Sequence, residues 1–221
     1  MTELRRIFDN TLNHPSDKWE SYFGVYERHL SDYRDKEFNL VEVGVQKGGS
    51  LDMWATYFPK AKKITGIDID VECAKLKYDD PRIDVVIGDQ VDPLFWDNFL
   101  VENPKIEVFI DDGGHFMDQQ ITTFEKVFPL MPVGGVYICE DCHTSYMSYN
   151  GGGLGRASSF IEYAKSYIDV IHWDWKENFT TQLERRYKIG KDLTGIHFYD
   201  SMVVFEKFGK KEMKRVAPNN F

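Results

Sequence analysis

Cysteine is scarce in this sequence, and long apolar runs are missing from it. The 221 residues include three cysteines, an odd number that fits a reducing compartment. No apolar run approaches the length that crosses a bilayer, and the first 13 residues lack the apolar block of a signal peptide. We therefore expect a cytoplasmic protein that does not have a membrane as a partner.

Basic residues are too few to indicate a polyanionic partner. Lysine and arginine together number 27, against 36 aspartates and glutamates, so the formal net charge is −9. A nucleic-acid backbone or an anionic membrane is bound by a basic protein face. We therefore expect no nucleic acid among the main partners.

No Pro/Ser-rich linker and no internal repeat divides the chain. Apolar residues make up 42% and charged residues 29%, which are ordinary values for a globular protein. The length suits one domain with an ample core. We expect a single domain over residues 1–221, with an N-terminal helical cap over about 1–36, a core over about 37–208 and a short tail over 209–221.

Strand-like and helix-like segments alternate along the chain. Apolar segments that predict buried parallel strands lie at 38–43, 63–69, 82–87, 106–110 and 135–139. Two further apolar segments, 195–199 and 202–206, are separated by Asp200-Ser201, and this spacing predicts a tight hairpin. The sequence therefore predicts an α/β fold: a mostly parallel, seven-stranded, Rossmann-like sheet with an antiparallel C-terminal hairpin strand and helices on both faces.

Acidic residues cluster where two of these strands end. Asp111-Asp112-Gly113-Gly114-His115 follows the fourth strand and Glu140-Asp141 follows the fifth. The carboxyl ends of parallel strands meet at the edge where such sheets bind ligands. Because hard divalent cations prefer oxygen ligands, Asp112, Glu140 and Asp141 are predicted to bind Mg²⁺ or Mn²⁺. The alternative role of these carboxylates is helix capping and salt bridging.

His115 lies three residues after the first of these predicted ligands. Imidazole groups titrate near neutrality, so His115 is predicted to act as a general base. Zinc is less favoured, because the Cys139-x-x-Cys142 spacing has no second pair to complete a four-ligand site. We expect both thiols to be structural.

Eight motifs occur in one order along residues 15–208. They are Asp17-Lys18-Trp19, Tyr26-Glu27-Arg28-His29, Val41-Glu42-Val43-Gly44-Val45, Gly66-Ile67-Asp68-Ile69-Asp70, Gly88-Asp89-Gln90, Asp111-Asp112-Gly113-Gly114-His115, Glu140-Asp141 and His197-Phe198-Tyr199-Asp200-Ser201. Together they resemble the catalytic domain of class I, metal-dependent sugar O-methyltransferases of macrolide and aromatic polyketide tailoring, the mycinamicin type. The resemblance implies an S-adenosylmethionine-dependent O-methyltransferase (EC 2.1.1 class) of natural product biosynthesis that uses magnesium or manganese.

The acidic residues at the strand ends also suit S-adenosylmethionine. Asp68 can accept hydrogen bonds from both ribose hydroxyls, and Asp89 can accept one from the adenine amino group while Gln90 lines the ring. Glu42 is placed for the methionine ammonium. With the glycine loop that follows the first strand, the predicted cofactor-binding residues are Lys18, Tyr26, Glu42, Gly44, Gly48, Ser50, Asp68, Asp89, Gln90 and Asp111.

An amphipathic helix is predicted to begin near Asp17, which forms a capping box with Glu20. In similar enzymes this segment lies over the cofactor pocket and excludes water. Lys18 and Tyr26 therefore have two alternative roles: they contact the ligand, or they only stabilise the helix. Tyr22 and His29 are predicted to be packing residues, and Asp70 a helix N-cap.

The predicted acceptor is a sugar or a glycosylated small molecule. The loop over 144–156 is polar and aromatic, and His143, Tyr146 and Tyr149 are its predicted substrate contacts. The stretch over 173–192 forms either the other wall of the acceptor site or a solvated helical insertion. We expect a homo-oligomer. Alternative functions are a catechol- or phenol-type O-methyltransferase, a cephalosporin-hydroxylase-like enzyme, and a noncatalytic binding module on the same fold.

Overall fold

The structure is a computed structural model, and it describes residues 1–10 and 13–210. Most of the tail predicted over 209–221 therefore lies outside the described residues. The helices are α1 (Glu3–Asn10), α2 (Glu20–Leu30), α3 (Gly49–Tyr57), α4 (Pro93–Glu102), α5 (Met117–Val127), α6 (Phe160–Lys165), α7 (Ile168–Ile171) and α8 (Thr181–Ile189). The strands are β1 (Asn39–Val43), β2 (Lys63–Asp68), β3 (Ile83–Ile87), β4 (Val108–Asp111), β5 (Gly135–Cys139), β6 (Gly195–Tyr199) and β7 (Met202–Lys207).

The seven strands form one sheet in the order β3-β2-β1-β4-β5-β7-β6. Strands β1 to β5 are parallel, whereas β7 runs antiparallel to β5, with Ile138 opposite Val204. The hairpin predicted at Asp200-Ser201 joins β6 to β7. The predicted α/β fold with an antiparallel C-terminal strand is therefore confirmed.

Each face of the sheet is covered by helices, because alternate residues of a strand point to opposite faces. Val108 and Ile110 of β4 pack with Phe23 and Trp54 of the helices α2 and α3. Phe109 of β4 points to the other face, where it packs with Trp96, Phe124 and Tyr137 in a second cluster. Burial on both faces explains why these strands are nearly continuous apolar runs.

The N-terminal segment differs from its prediction in one respect. Helix α2 begins at Glu20 with Trp19 as its N-cap, and no side chain caps it, so the predicted capping box of Asp17 and Glu20 is wrong. Residues 15–19 are not helical, because the Lys18 side chain is drawn into the acidic site described below. The indole of Trp19 is consequently 61% exposed and not part of the buried face.

Two other segments, over 144–156 and 173–192, contain short helices. The loop over 144–156 contains two short 3₁₀ helices, Cys142–Tyr146 and Ser148–Asn150. The stretch over 173–192 includes helix α8, and its Leu183 packs with Val170 of α7 on the second face of the sheet. This stretch is a helical insertion. Within the described ranges, every helix is too short or too polar to cross a membrane.

Candidate active site

A cavity of about 610 Å³ opens at the carboxyl ends of the parallel strands. Its wall consists of the turns that follow β1 to β5 together with the non-helical segment 15–19. The predicted site residues that line it are Lys18, Gly44, Ser50, Asp68, Asp89, Gln90, Asp112, His115, Glu140, Asp141 and His143. The fold thus brings most of the predicted cofactor and metal residues to one opening.

The glycine loop after β1 touches the acidic turn after β4. Gly44 has a φ of +95°, and a Cβ atom built on it would lie 1.9 Å from the backbone oxygen of Asp112. The amide of Asp112 in turn donates to the carbonyl of Val43 at 3.0 Å. A residue without a side chain is therefore required at position 44, since any Cβ would push the turn that carries Asp112 out of place.

Substituting this glycine with alanine is expected to destabilise the protein and to displace Asp112. Gly134 is a matched control, because its φ of +96° is the same but nothing lies within 4 Å of its added Cβ. Gly134→Ala should cost only the strain of the positive φ, about 1 kcal/mol. Gly44→Ala should cost clearly more in urea unfolding, and equal losses for the two variants would show that the close contact is unimportant.

Asp68 organises the glycine loop as well as facing the cavity. Its Oδ2 accepts hydrogen bonds from the amides of Val45 and Gln46 at 2.9 and 2.8 Å, and its Oδ1 accepts one from Asp70 at 2.9 Å. Asp70 caps the next short helix by accepting from the amide of Glu72, as predicted. The Asp68 carboxylate is thus held rigidly at the tip of β2, facing the cavity.

Asp89 and Gln90 follow β3 and form the adjoining part of the wall. Asp89 Oδ1 accepts from the amide of Val91 at 3.0 Å, which fixes the turn. The buried Gln90 amide donates to Asp111 Oδ1 at 3.2 Å and accepts from the amide of Gly114 at 2.9 Å. Gln90 therefore connects the wall of the cavity to the turn that carries His115.

Four predicted cofactor residues do not line the cavity: Tyr26, Glu42, Gly48 and Asp111. Asp111 is 1% exposed, accepts a hydrogen bond from the hydroxyl of Tyr137 at 2.9 Å, and burial raises its pKa to about 7. Gly48 presents its carbonyl to the hydroxyl of Tyr78 at 3.0 Å. These residues support the wall from behind, so their direct contact with a cofactor is a prediction that the geometry does not favour.

Lys18 lies at the centre of an inner group of carboxylates. Its ammonium donates to Asp112 Oδ2 at 2.5 Å and to Glu140 Oε2 at 2.9 Å, and it is 3.6 Å from Glu42 Oε1. The hydroxyl of Tyr26 donates to the other oxygen of Glu140. Glu42 Oε2 accepts from Ser50 at 2.7 Å, whereas its Oε1 is buried and has no hydrogen-bond partner.

The ionisation of this inner group follows from burial and mutual repulsion. Burial disfavours the Lys18 ammonium, but the carboxylates of Asp112 and Glu140 outweigh that effect and raise the pKa of Lys18 well above its usual value. Burial, and then the charge of Asp112, raises the pKa of Glu140. Burial also raises the pKa of Glu42. Three carboxylates share one ammonium in this group, so the remaining negative charge requires either protonation or a further cation.

An outer group of ligand atoms faces the opening of the cavity. His115 Nε2 lies 3.3 Å from Asp141 Oδ2 and 3.9 Å from Asp112 Oδ1, and all three side chains are 21–24% exposed. One ligand atom from each of these three residues lies within 4.8 Å of the ligand atoms of the other two. Asp112 belongs to both groups, because Glu42, Asp112 and Glu140 form a second such set.

The backbone is strained at two residues of the outer group. His115 and Asp141 have φ angles of +59° and +50°, a region that non-glycine residues rarely adopt. Such strain persists only where the surrounding structure enforces it, and it is concentrated at functional sites. Here it turns both side chains toward the cavity at the ends of β4 and β5.

Two residues of the site were not predicted from the sequence to belong to it. The hydroxyl of Tyr22 donates to Asp141 Oδ1 at 2.5 Å and contacts Ser201 Oγ at 2.8 Å, so Tyr22 is more than a packing residue. Ser201 also lies 2.6 Å from His143 Nδ1. A sequence signal for Tyr22 does exist, since Lys18, Tyr22 and Tyr26 recur at intervals of four.

The predicted substrate residues are only partly brought together. His143 lines the cavity, and its Nδ1 is 3.8 Å from Asp141 Oδ1. Substrate contact by Tyr146 and Tyr149 stays a prediction, because these residues are 54% and 83% exposed and do not line the cavity. The reason is that the 3₁₀ turns after Asp141 direct the chain away from the opening, where the ring of Tyr149 contacts Phe116 at 5.7 Å.

The predicted metal ligands fit a hard divalent cation by their chemistry. Asp112 and Asp141 present carboxylate oxygens at the opening, and Glu140 presents one just below them. The buried Nδ1 of His115 and Oε1 of Glu42 have no hydrogen-bond partner. Carboxylate oxygens with room for water are the ligands that Mg²⁺ prefers. Of the predicted ligands, Asp141 belongs to the outer group and Glu140 to the inner group. Asp112 belongs to both and so connects them.

The strand order, the glycine loop after β1 and the acidic turns after β2 to β5 define the fold of class I S-adenosylmethionine-dependent methyltransferases. No model of a protein family matches the chain. Its homologues are sugar O-methyltransferases of macrolide and polyketide glycoside pathways.

Two curated relatives show the relationship. The chain is 33% identical over 171 residues to the 8-demethyl-8-alpha-L-rhamnosyl tetracenomycin-C 2'-O-methyltransferase of Streptomyces olivaceus, a match that covers 73% of this chain and 44% of that protein. It is 31% identical over 192 residues to the mycinamicin VI 2''-O-methyltransferase of Micromonospora griseorubida, covering 82% and 47% respectively. The chain spans about half the length of the curated relatives it matches.

A solved structure agrees with these relatives. The MycE methyltransferase from the mycinamycin biosynthetic pathway, in complex with Mg and SAH, superposes with a TM-score of 0.79 at 28% sequence identity. The match covers 99% of this chain and 57% of that chain. A second structure of MycE also contains mycinamycin VI and superposes with a TM-score of 0.77.

Proposed function

We propose that this protein is an S-adenosylmethionine-dependent O-methyltransferase that methylates a hydroxyl of a sugar on a glycosylated small molecule. The observation that carries the proposal is the juxtaposition of Asp112, Asp141 and His115 beside a glycine-loop cavity. The homologues named as sugar O-methyltransferases, and the superposition on a methyltransferase that holds Mg and SAH, support it.

The cofactor half of the cavity is the part between β1 and β3. We assign Asp68 to the ribose hydroxyls and Asp89 with Gln90 to the adenine, because these groups line the wall in that order along the strand tips. Ser50 and Lys18 line the part nearest the acidic turn, which suits the methionine end. S-adenosylmethionine supplies the electrophilic methyl group.

Substituting Asp68 tests this placement. Asn keeps an oxygen to accept from the loop amides but loses the charge that strengthens hydrogen bonds from two ribose hydroxyls. Asp68→Asn is therefore expected to weaken binding of S-adenosylhomocysteine by at least about tenfold in calorimetry. Asp84→Asn, an exposed carboxylate on β3 that pairs with Lys63, should leave the affinity unchanged. Equal affinities would contradict the ribose assignment.

We assign Asp112, Glu140 and Asp141 to a divalent cation, magnesium or manganese. When bound, the cation lowers the pKa of an acceptor hydroxyl and fixes its direction. Lys18 has a second acceptor within reach, since Glu42 Oε1 is 3.6 Å from its ammonium and unpartnered. If the ammonium moved toward Glu42, Glu140 Oε2 would be free to bind the cation. The Lys18 charge would still be paired with a carboxylate.

His115 is assigned as the general base. Its Nε2 faces the cavity between two carboxylates, and removing a proton from the acceptor would convert the ring to an imidazolium. Asp141 at 3.3 Å then stabilises that positive charge. The segment 15–19 forms the wall opposite the strand tips and keeps water from the reacting atoms.

The hydroxylase alternative is less well supported. A non-haem iron site of the facial type takes two histidines and one carboxylate. In the described part of the chain, His115, His143 and Asp141 do not form a set whose ligand atoms all lie within 4.8 Å of one another. The carboxylates at the cavity, Asp112, Glu140 and Asp141, suit a hard cation better.

We further propose that residues 1–36 act as a cap on the core over 37–208, within one domain. Leu4, Tyr22 and Phe23 of this cap share a buried cluster with the strands of the core. The predicted homo-oligomer stays a prediction.

The acceptor class is tested by methyl transfer from labelled S-adenosylmethionine. Rhamnosylated polyketides, macrolide glycosides, their aglycones and simple catechols would be offered in parallel with Mg²⁺ present. The proposal expects label on glycosides only. Transfer to catechols or to the aglycones, with none to the sugars, would replace it with the phenol-type alternative.

A further inference from the structure

A second group of potential metal ligands lies outside the cavity, between helix α2 and the edge hairpin β6–β7. Its members are His29, His197 and Glu206. One ligand atom from each residue lies within 4.8 Å of the ligand atoms of the other two. Because Gly195 and His197 are two residues apart on β6, and Gly195 pairs with Glu206 on β7, their side-chain positions lie on one face of the hairpin.

The nitrogen and oxygen atoms of this group converge as ligands do. His29 Nδ1 lies 2.9 Å from Glu206 Oε1, and His197 Nε2 lies 3.1 Å from Glu206 Oε2. His197 Nε2 is buried and makes no hydrogen bond, although its ring is 41% exposed and so gives access from solvent. Bonds of about 2.0–2.2 Å around a tetrahedral zinc ion separate ligand atoms by about 3.3–3.6 Å, somewhat more than the two spacings found here, so the ligand atoms would move slightly apart on binding.

Neighbouring side chains fix the orientation of the His29 ring. The hydroxyl of Tyr199 lies 2.8 Å from His29 Nε2, so the other ring nitrogen of His29 is directed at Glu206. The ring centroids of His29 and His197 are 4.7 Å apart.

Two of the ligand atoms lie close against Gly195. A Cβ atom built on Gly195 would lie 2.9 Å from Glu206 Oε2 and 3.1 Å from His197 Nε2. An alanine at this position would therefore press its methyl group against both ligand atoms and displace them.

We propose that His29, His197 and Glu206 bind a divalent transition-metal ion, with zinc as the best match to two imidazoles and one carboxylate. Two imidazoles and a carboxylate leave a fourth position for water. The ion would link helix α2 to the β6–β7 hairpin, which are the elements that deliver Tyr22 and Ser201 to the cavity. The site is independent of the proposed methyl transfer, since none of its ligands lines the cavity.

The test is calorimetric titration of the whole chain with ZnCl₂ in excess Mg²⁺, which occupies the carboxylate site. Wild type and His115→Ala should each bind zinc with the same affinity at this group. His197→Ala should bind it at least about tenfold more weakly, because one of three protein ligands is lost. Gly195→Ala keeps every ligand but places a methyl group against Glu206 and His197, and it should also weaken binding.

Two readouts keep the outcome decisive. Co²⁺ in place of zinc should give the visible absorption of a tetrahedral site in wild type and His115→Ala but not in His197→Ala. Zinc should raise the melting temperature of wild type, and leave that of His197→Ala unchanged. Equal zinc affinity in wild type and His197→Ala, or loss of all binding in His115→Ala, would overturn the proposal. Such a result would not affect the proposed methyl transfer, which is measured with Mg²⁺ alone.

Discussion

Replacing His115 with alanine is expected to lower kcat for methyl transfer by roughly 10² to 10⁴, the usual effect of losing a general base. The expectation follows from the position of Nε2, which faces the cavity 3.3 Å from Asp141 and 3.9 Å from Asp112. Affinities for S-adenosylhomocysteine and Mg²⁺ should change much less, because the carboxylates remain. Stopped-time assays at saturating cofactor, metal and acceptor measure kcat directly.

The positive φ of His115 requires a second variant. Alanine is strained at a φ of +59°, whereas asparagine tolerates this region. His115→Asn should therefore lose activity as alanine does while keeping the stability of wild type. His172→Ala, at the C-terminal end of α7, is the matched histidine control and should keep full activity. A near-normal kcat in His115→Asn would leave the metal as the only activating group.

Substituting Asp112 is expected to have the second largest effect, a steep rise in the Mg²⁺ concentration needed for activity. Asp112 is the one carboxylate shared by the inner and outer groups of ligand atoms within the described residues. Asp112→Asn removes a negative ligand from a hard-cation site with few others, so half-saturation should shift by at least about tenfold. The measurement is the initial rate as a function of Mg²⁺ concentration.

Removing the metal with a chelator tests the same assignment. Excess EDTA should abolish turnover by wild type, and Mg²⁺ or Mn²⁺ should restore it. Asp97→Asn is a suitable control, because Asp97 is an exposed carboxylate that pairs with Lys126 far from the cavity. Full turnover in excess chelator, with Asp112→Asn equally active, would show that these carboxylates have a structural role only.

The fold could be predicted because local and global signals agree. Apolar segments that alternate with helix-like ones specify a parallel sheet, and Asp200-Ser201 specifies the antiparallel hairpin that closes it. The positions of Asp68, Asp89, Asp112 and Asp141 followed from the same reasoning, since the carboxyl ends of parallel strands meet at one edge.

The division of the acids into two groups could not be predicted. Glu140 and Asp141 are adjacent in the chain, yet Glu140 bonds to Lys18 and Asp141 to Tyr22, because Asp141 takes a positive φ just after β5. Which of the two carboxylates turns inward depends on the backbone conformation at the end of β5. A composition or spacing argument does not contain that information.

The contacts of Tyr22 and Ser201 were missed for a different reason. They are 179 residues apart, and only the closure of the sheet by β7 brings the β6–β7 turn against helix α2. His29 and Glu206 are likewise 177 residues apart, and the sequence indicated only packing for His29. Pairings across such distances depend on how helix α2 lies on the sheet, which local patterns do not specify.

The most direct test is to locate the methyl group that the purified chain transfers. A glycoside and its own aglycone would each be incubated with labelled S-adenosylmethionine and Mg²⁺, with and without excess EDTA, and the products fragmented in a mass spectrometer. The proposed function predicts one added methyl on the sugar fragment of the glycoside, none on the aglycone, and none in either with EDTA. Methylation of the aglycone, or of the sugar at an undiminished rate in EDTA, would contradict it.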